Sequence, residues 1–490
     1  MRCGASIVIV LALIAITMAM SYAMLRTQFS VVRIQSNSNR QALAKQAAMV
    51  GLTKAIWAME QTSWPGVGTT LTGTLSGQDS YSVTYTAGDD SLTSASSNYG
   101  EYPYRVMLVS TGTSVDPNNS ASHATHRVRA VVRLIPQKLG IIPSDLASIA
   151  NYTWYQTNND TFQFQVPLHV AGKSRIQGEV QLGGDYQWSN NASDRYLDDL
   201  DQMRLAGMND DRPFTGPLEI SFSQNNGGDQ NWLTGTLGVS ITNNTTTGMS
   251  AGWAFPGTVG TYKLYAGGPT YTVPTAPTTI STALVADPVT NPLGIFYQSG
   301  DITLATGASL KGTLIGGGHV TLTGNNLSLA PVDLLPLITS SNKVRLPTLL
   351  ASDDLVINDT SAGTVDGMMA TFDKFNLKMC PQAKVFSMHG NLVAKRFYAE
   401  GRNEFNLNST LWSLSYSLFK TQLNNSPATR ISYYPVYMQI LNLLPDPKVT
   451  FQGPDNPVTY TWPTNGFTVY VADPVAGALR WEMVDWRDLR

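Results

Sequence analysis

MRCGASIVIVLALIAITMAMSYAMLR, residues 1–26, opens the chain and decides how the rest is read. One arginine, one cysteine and one glycine precede an uncharged run from Ala5 to Leu25. As a helix that run spans about 32 Å, close to the hydrocarbon core of a bilayer. Three readings fit it. A secretory signal peptide needs a small-x-small cleavage site, and Ala19-Met20-Ser21 or Ser21-Tyr22-Ala23 supplies one. A plain anchor needs only the length. The third reading makes the run the first half of a longer rod.

Residues 26–60, RTQFSVVRIQSNSNRQALAKQAAMVGLTKAIWAME, favour the rod. They contain no proline and a single glycine, Gly51, and good helix formers dominate from Gln41 onward. The first acidic residue of the chain is Glu60, and Pro65-Gly66 end the pattern. Ala5–Glu60 as one helix is about 84 Å long. Two stripes run along it. Ala15, Ala19 and Ala23 lie four apart, as do Ala47, Gly51 and Ala55, a spacing that lets helices approach closely in lipid. Arg26, Arg33 and Arg40 lie seven apart, with Lys54 two heptads on. They form a solvated basic face or a contact with anionic headgroups or acidic neighbours.

The composition agrees with a β-rich remainder. Of 490 residues only 13% are charged, and Ser, Thr, Asn and Gly fill the gap. The length suits two or three domains. A net charge of −2 gives no reason to expect a nucleic-acid partner. The two cysteines, Cys3 and Cys380, build no disulfide framework.

A short basic leader ending in Gly4, a charge-free helix that turns amphipathic, and a β-region behind it resemble a type IV pilin-like protein. The resemblance implies cleavage by prepilin peptidase between Gly4 and Ala5, with Arg2 on the cytoplasmic side and Ala5 as an N-methylated terminus. Most pilins carry Glu four residues beyond that terminus, where this chain has Ile9. PilX-type minor pilins and the K-type minor pseudopilins of type II secretion can also lack that acid, which fits a tip or priming subunit.

Period-two alternation marks antiparallel strands across residues 69–136. Tyr81, Val83 and Tyr85 alternate with Ser82, Thr84 and Thr86; Val106 and Leu108 alternate with Arg105 and Met107. Val128, Ala130, Val132 and Leu134 alternate with Arg127, Arg129, Val131 and Arg133. Turns fall at Gly88-Asp89-Asp90 and Asp116-Pro117-Asn118-Asn119. The stretches YRVMLVSTGT and HRVRAVVRL are similar to the sheet of PilX-type minor pilins. Leu43, Val50 and Trp57 are the expected helix partners of this sheet.

After Pro136 the pattern apolar-x-Gly-x-apolar returns four times: Ile176–Val180, Leu310–Leu314, Val365–Met369 and Met388–Leu392. LHVAGKSRIQGEVQLGG (168–184) overlays ITLATGASLKGTLIGGG (302–318) without a gap, and DITL at Asp301 returns as HVTL at His319. Whole strands align, so stacked parallel rungs of a β-helix are favoured over a sandwich with glycine turns. The expected fold is α+β and mainly β: a long transmembrane and amphipathic helix, a small antiparallel sheet, then a parallel β-helix-like region. The expected divisions are a leader (1–4), the helix (5–60), the meander (61–136), a linker (137–165), a solenoid (166–420) with an insertion at 185–285, and a C-terminal β cap (421–490). Within the insertion, 193–207 reads as a short helix. Trp481 and Trp486 cap the core or bind sugar.

Candidate chemistry is thin. Asp198, Asp199, Asp201, Asp210 and Asp211 make an acidic patch without calcium-loop spacing. Asp353-Asp354 reads as a turn, and His123 and His126 lack a Cys or carboxylate partner for metal. His169, His319 and His389 each sit near a rung motif. Cys380-Pro381 reads as a buried thiol. No residue is assigned to catalysis, cofactor or metal. The leading function is a structural subunit of a type IV pilus-like or pseudopilus-like filament, held in the inner membrane with its bulk outside the cytoplasm. Its partners would be other pilin-like subunits and prepilin peptidase, with a glycan or other surface ligand left open. Two alternatives stand beside it: an anchored or secreted carbohydrate-active β-helix enzyme, and a single-pass envelope scaffold.

Overall fold

The computed structural model describes residues 3–117, 119–135, 149–158, 162–164, 169–177, 180–182, 217–220, 241–243, 255–334, 343–358, 361–378, 385–399, 448–454, 458–472 and 479–489. They divide into a helix–sheet unit (1–138, 264–269 and 470–490) and a solenoid unit (139–263 and 270–469). The fold class is the expected one: a long N-terminal helix, an antiparallel sheet, then parallel sheets.

Helix α1 runs unbroken over Cys3–Met59. Its hydroxyls do not interrupt it, because Thr17, Thr27 and Ser30 donate back to the carbonyls of Leu13, Ala23 and Arg26. Bonds from Glu60 N–H to Trp57 O and from Gln61 N–H to Ala58 O tighten and end the last turn. Strands β1 (Thr70–Thr74), β2 (Asp79–Ala87), β3 (Arg105–Asp116) and β4 (Asn119–Ile135) follow as a meander. The fifth strand of that sheet is Arg480–Leu489, antiparallel to β4 from Ile135↔Arg480 to Arg127↔Leu489. Residues 421–490, read from the sequence as a cap, therefore contain the edge strand of the helix–sheet unit. Its ladder partner is far away in sequence, and no local pattern announces it.

The helix meets the sheet through small side chains. Ala44, Ala47, Ala48, Leu52, Ala55 and Met59 are buried, whereas Leu43 and Trp57 are 42% and 59% exposed. The expectation that Leu43 and Trp57 face the sheet is thus corrected, while Val50 is half-buried. The cause is closeness of approach. Ser110 Oγ donates to Ala48 O at 2.7 Å, and a Cβ on Gly112 would collide with the backbone of Ala44 and Ala48. Bulky side chains at the contact would hold the two elements apart.

In the solenoid unit three parallel sheets form the walls of a coil. DITL and HVTL are consecutive rungs, paired Ile302↔Val320 and Leu304↔Leu322. Inward positions stack along each wall. On the first, Leu314, Leu349, Met369, Leu392 and Trp154 follow one another. On the second come Leu304, Leu322, Ile357 and Leu377. On the third come Leu310, Leu329, Val365, Met388, Phe451 and Val170. All belong to one buried cluster. On the first wall the outward residues Ile315, Leu350, Ala370 and Val393 are buried too, so those strands read as continuous apolar runs.

The glycine motif marks corners. Gly312, Gly367 and Gly390 turn from the third wall to the first with φ of 154°, 86° and 153°. A Cβ on Gly390 would collide with the Gly367 carbonyl of the adjacent rung. Gly178 lies outside the described residues. Its flanking strands, Ser174–Ile176 and Val180–Leu182, belong to the first and second walls. The overlay of 168–184 on 302–318 therefore matches strand to strand but is displaced by one wall. Each wall is built of similar short strands, two to five residues long, and the motif does not tell them apart.

Rung order differs from sequence order. The first wall runs from Ile295–Gln298 up to Leu392–Ala394, then continues with Trp154–Gln156, Ser174–Ile176, Leu218–Ile220 and Ile241–Asn243. The chain thus enters the stack in its middle, coils to one end, and resumes at the other with Thr279–Ile280 and Ala283–Val285. Strands Trp154–Gln156 and Phe162–Phe164, and Leu218–Ile220, Ile241–Asn243, Thr279–Ile280 and Ala283–Val285, within the stretches read as linker and insertion, are rungs of this stack, whereas Thr261–Tyr265 and Thr270–Thr272 pair antiparallel outside it. At the seam Asn391 Nδ2 donates to the carbonyls of Ile149, Ala150 and Tyr152, pinning the incoming chain.

Candidate functional site: the exposed helix and its clasp

The two small-residue triplets have different surroundings. Ala15, Ala19 and Ala23 are exposed along the first half of α1. Ala47, Gly51 and Ala55 are buried on the chain's own sheet, and a Cβ on Gly51 would lie 2.7 Å from Ser110 Oγ. Their spacing serves helix-on-sheet contact here, because a strand crossing at Gly112 imposes the same need for small residues as a second helix. Gly4 and Ala5 lie within α1, at its start.

The apolar surface of α1 does not stop at bilayer length. It is long and apolar enough to cross a membrane, and none of its apolar window is buried. Beyond Leu25, Phe29, Val31, Val32, Ile34, Leu43, Met49 and Trp57 remain exposed. Trp57 lies about 48 Å along the helix from Leu25, well beyond the reach of lipid tails. The basic stripe divides as well. Arg26 and Arg33 are exposed. Arg40 Nη1 donates to Asp116 Oδ2 at 2.7 Å and to Ser122 Oγ at 3.0 Å, closing the tip of the β3–β4 hairpin onto the helix. Lys54 Nζ lies 5.8 Å from the Trp57 ring centre.

A second feature ties the C-terminal strand to the sheet on which α1 is docked. On the far side of the sheet Arg129 is buried to 2%, although its period-two position reads as solvent-facing. The reason is the β2–β3 connection, which lies over it. Charges alternate along a chain whose two ends both lie on the C-terminal strand. Asp485 on the C-terminal strand binds Arg129 at 3.0 Å, and Arg129 binds Asp89 at 3.1 Å and also Asp90. Asp89 then binds Arg105 at 2.8 Å, Arg105 binds Glu101 at 2.6 Å, and Glu101 binds Arg133 at 2.8 Å. Arg133 Nε returns to the C-terminal strand at Glu482, 2.6 Å away. Burial alone would raise the Asp89 carboxyl. Hydrogen bonds from Ser91 and Arg105 outweigh it and hold the group below the ordinary carboxylate value.

The C-terminal strand also reaches α1 itself. Asp488 accepts from Lys45 Nζ at 2.8 Å and lies 3.0 Å from His126 Nε2. Trp481 Nε1 donates to Met59 O at 3.4 Å. Around it, Trp64 stacks on Tyr265 at 6.5 Å and meets Tyr85 and Trp481 edge-on at 5.5 and 5.9 Å. Tyr85 donates to Ala55 O at 3.3 Å, and burial, aided by Tyr81, pushes its hydroxyl up to about 12, so it remains a neutral donor. Gly66 and Gly267 touch backbone to backbone, both at positive φ, with Val67 N–H donating to Gly267 O at 2.8 Å. Trp481 is thus a core residue of the helix–sheet unit, whereas Trp486 is 42% exposed.

The solenoid's polar candidates are tied to neighbouring rungs. His319 N–H donates to Asp301 Oδ1 at 2.8 Å, and His319 Nδ1 accepts from Asp354 N–H at 3.2 Å. Asp354 lies 3.7 Å from Lys374, and Asp353 O accepts from Thr371 Oγ1. His389 lies 3.5 Å from Asp366 at a different corner, and His169 belongs to a strand of the third wall. His319 and His389 do not converge. Among the described residues no group of three or more His, Cys, Asp or Glu is placed to hold a metal. Asp198, Asp199, Asp201, Asp210, Asp211, Cys380 and the expected helix at 193–207 lie outside the described residues.

No family model matches the chain. No curated protein matches it either. Among solved structures, the competence-associated pilin ComZ from Thermus thermophilus is similar over 92% of this chain and 98% of that one, at 11% identity and a TM-score of 0.24. A TM-score that low decides nothing about fold or function.

Proposed function

We propose that this chain is a structural subunit of a pilin-like filament, a minor pilin or pseudopilin, with α1 as its assembly helix and the solenoid as its displayed part. One observation carries the reading: large apolar side chains stay exposed along α1 about 48 Å past the end of the bilayer-length run. A plain anchor would turn polar on leaving the membrane. Exposed apolar area of that extent calls for protein neighbours, and helices of like subunits fit a narrow rod. Processing between Gly4 and Ala5 by prepilin peptidase, and passage through the inner membrane, belong to the same proposal. The third wall of the solenoid turns Ser309, Ser328, Thr364, Ser387 and Thr450 outward in register. That hydroxyl-bearing row is the one we assign to display.

The test is cross-linking in the native membrane with a photoreactive residue at Ile34 or Trp57, and at Thr364 as control. Adducts to other helix-bearing subunits from Ile34 and Trp57, with none from Thr364, are expected. Adducts to lipid alone, or to nothing, would contradict the reading.

A further inference from the structure

Ile135 ends β4, and Arg480, directly opposite it in the ladder, begins the strand that completes the sheet. Everything between them in sequence is inserted into one antiparallel pair. That pair joins distant parts of the chain, so it forms late relative to the local β1–β4 meander. Until it forms, residues 127–135 of β4 are an open edge of alternating apolar residues, and Arg129 and Arg133 lack Asp485 and Glu482. The strand that covers this edge is itself protected on its outer side. It carries a bulge between Met483 and Asp485 and the charges Glu482, Asp485, Arg487 and Asp488.

The same strand touches α1 at two places, Lys45 through Asp488 and Met59 through Trp481. Those residues lie about 21 Å apart along the helix. We propose that Arg480–Leu489 is a strap that locks the docked half of α1 onto its sheet, so that the helix–sheet unit is completed only once the C-terminal segment has arrived. The consequence for assembly rests on the subunit reading: a chain whose C-terminus is not yet delivered presents an unlocked helix and is not competent to join a filament. The occupant of the β4 edge is the chain's own segment, selected by charge. Two acids on the strap meet two arginines on β4 at positions set by the bulged register.

The experiment uses the full chain with a protease site placed within 473–478. After cleavage of the otherwise unaltered protein, fragment 479–490 stays bound and amide exchange in 44–59 and 127–135 stays slow. In Glu482→Arg/Asp485→Arg the fragment dissociates on cleavage, and exchange in those two segments speeds up at least tenfold while rungs 302–330 keep their protection. Labelled peptide 479–490 added to the cleaved unaltered protein exchanges into it, which keeps the test decisive if the double variant does not fold. Release of the strap without faster exchange in α1 would overturn the proposal. So would loss of protection in the rungs together with the sheet. A closed strap in a protein whose Trp57 cross-links to no subunit would sink the filament reading and leave the strap standing.

Discussion

Trp154→Ala lowers the stability of the solenoid unit by about 3–5 kcal/mol, the usual range for removing a large buried aromatic side chain. Trp154 is 1% exposed at the seam where rungs from two distant parts of the sequence meet. Its ring stacks on Phe397 at 4.9 Å and stands edge-on to Phe451 at 5.0 Å and Phe375 at 6.1 Å. Three walls therefore lose a contact at once, and the neighbours are strands that cannot move inward without breaking their ladders. Chemical denaturation followed by amide exchange checks it. The rungs on both sides of the seam, 154–156 and 169–171 on one and 385–399 on the other, should open first. The helix–sheet unit should keep its own protection, because none of its buried residues belongs to that cluster. An equal loss in both units would show that the two fold as one.

Gly112→Val undocks the second half of α1. Valine suits a strand, so the substitution adds no backbone penalty of its own. A Cβ at this position would run into the carbonyl of Ala44 and the amide of Ala48, and backbone cannot turn aside as a side-chain end can. The helix must move away, which costs the Ser110–Ala48 bond and the burial of Ala44, Ala47 and Ala48. A loss of about 3 kcal/mol is expected, at the upper end for overpacking. Faster proteolysis within residues 41–59 measures it, with Gly77→Val as control, since nothing lies within 4 Å of a Cβ there. Equal resistance of the two variants would mean that helix and sheet are not in the contact described.

The alternating strands of the meander and the rung repeat were legible in the sequence because both are local. Val83 and Tyr85 point inward as period two requires, and DITL and HVTL stack eighteen residues apart. What escaped reading was non-local or ambiguous by nature. Small residues four apart signal close approach but not to what, and Ala47, Gly51 and Ala55 meet a sheet. Arg129 occupies an outward position and is buried only because Asp89 arrives from another segment to pair with it. The Gly88-Asp89-Asp90 turn was visible, but its partner was not. Arg480–Leu489 looks like any edge strand, and its place beside β4 depends on the whole inserted solenoid. The wall to which each rung strand belongs was hidden by the likeness of the walls to one another.

The central claim is that α1 is a retained assembly helix, continuous from its apolar start to its docked end. Determining the N-terminal residue of the protein from its native membrane tests it most directly. A start at Ala5 with a methylated amine, and retention of Met1 in Gly4→Val, is the predicted result. A start near Tyr22 or Met24 would mean that the apolar half is discarded as a signal peptide, and an intact Met1 in the unaltered protein would leave a plain anchor; either contradicts the account.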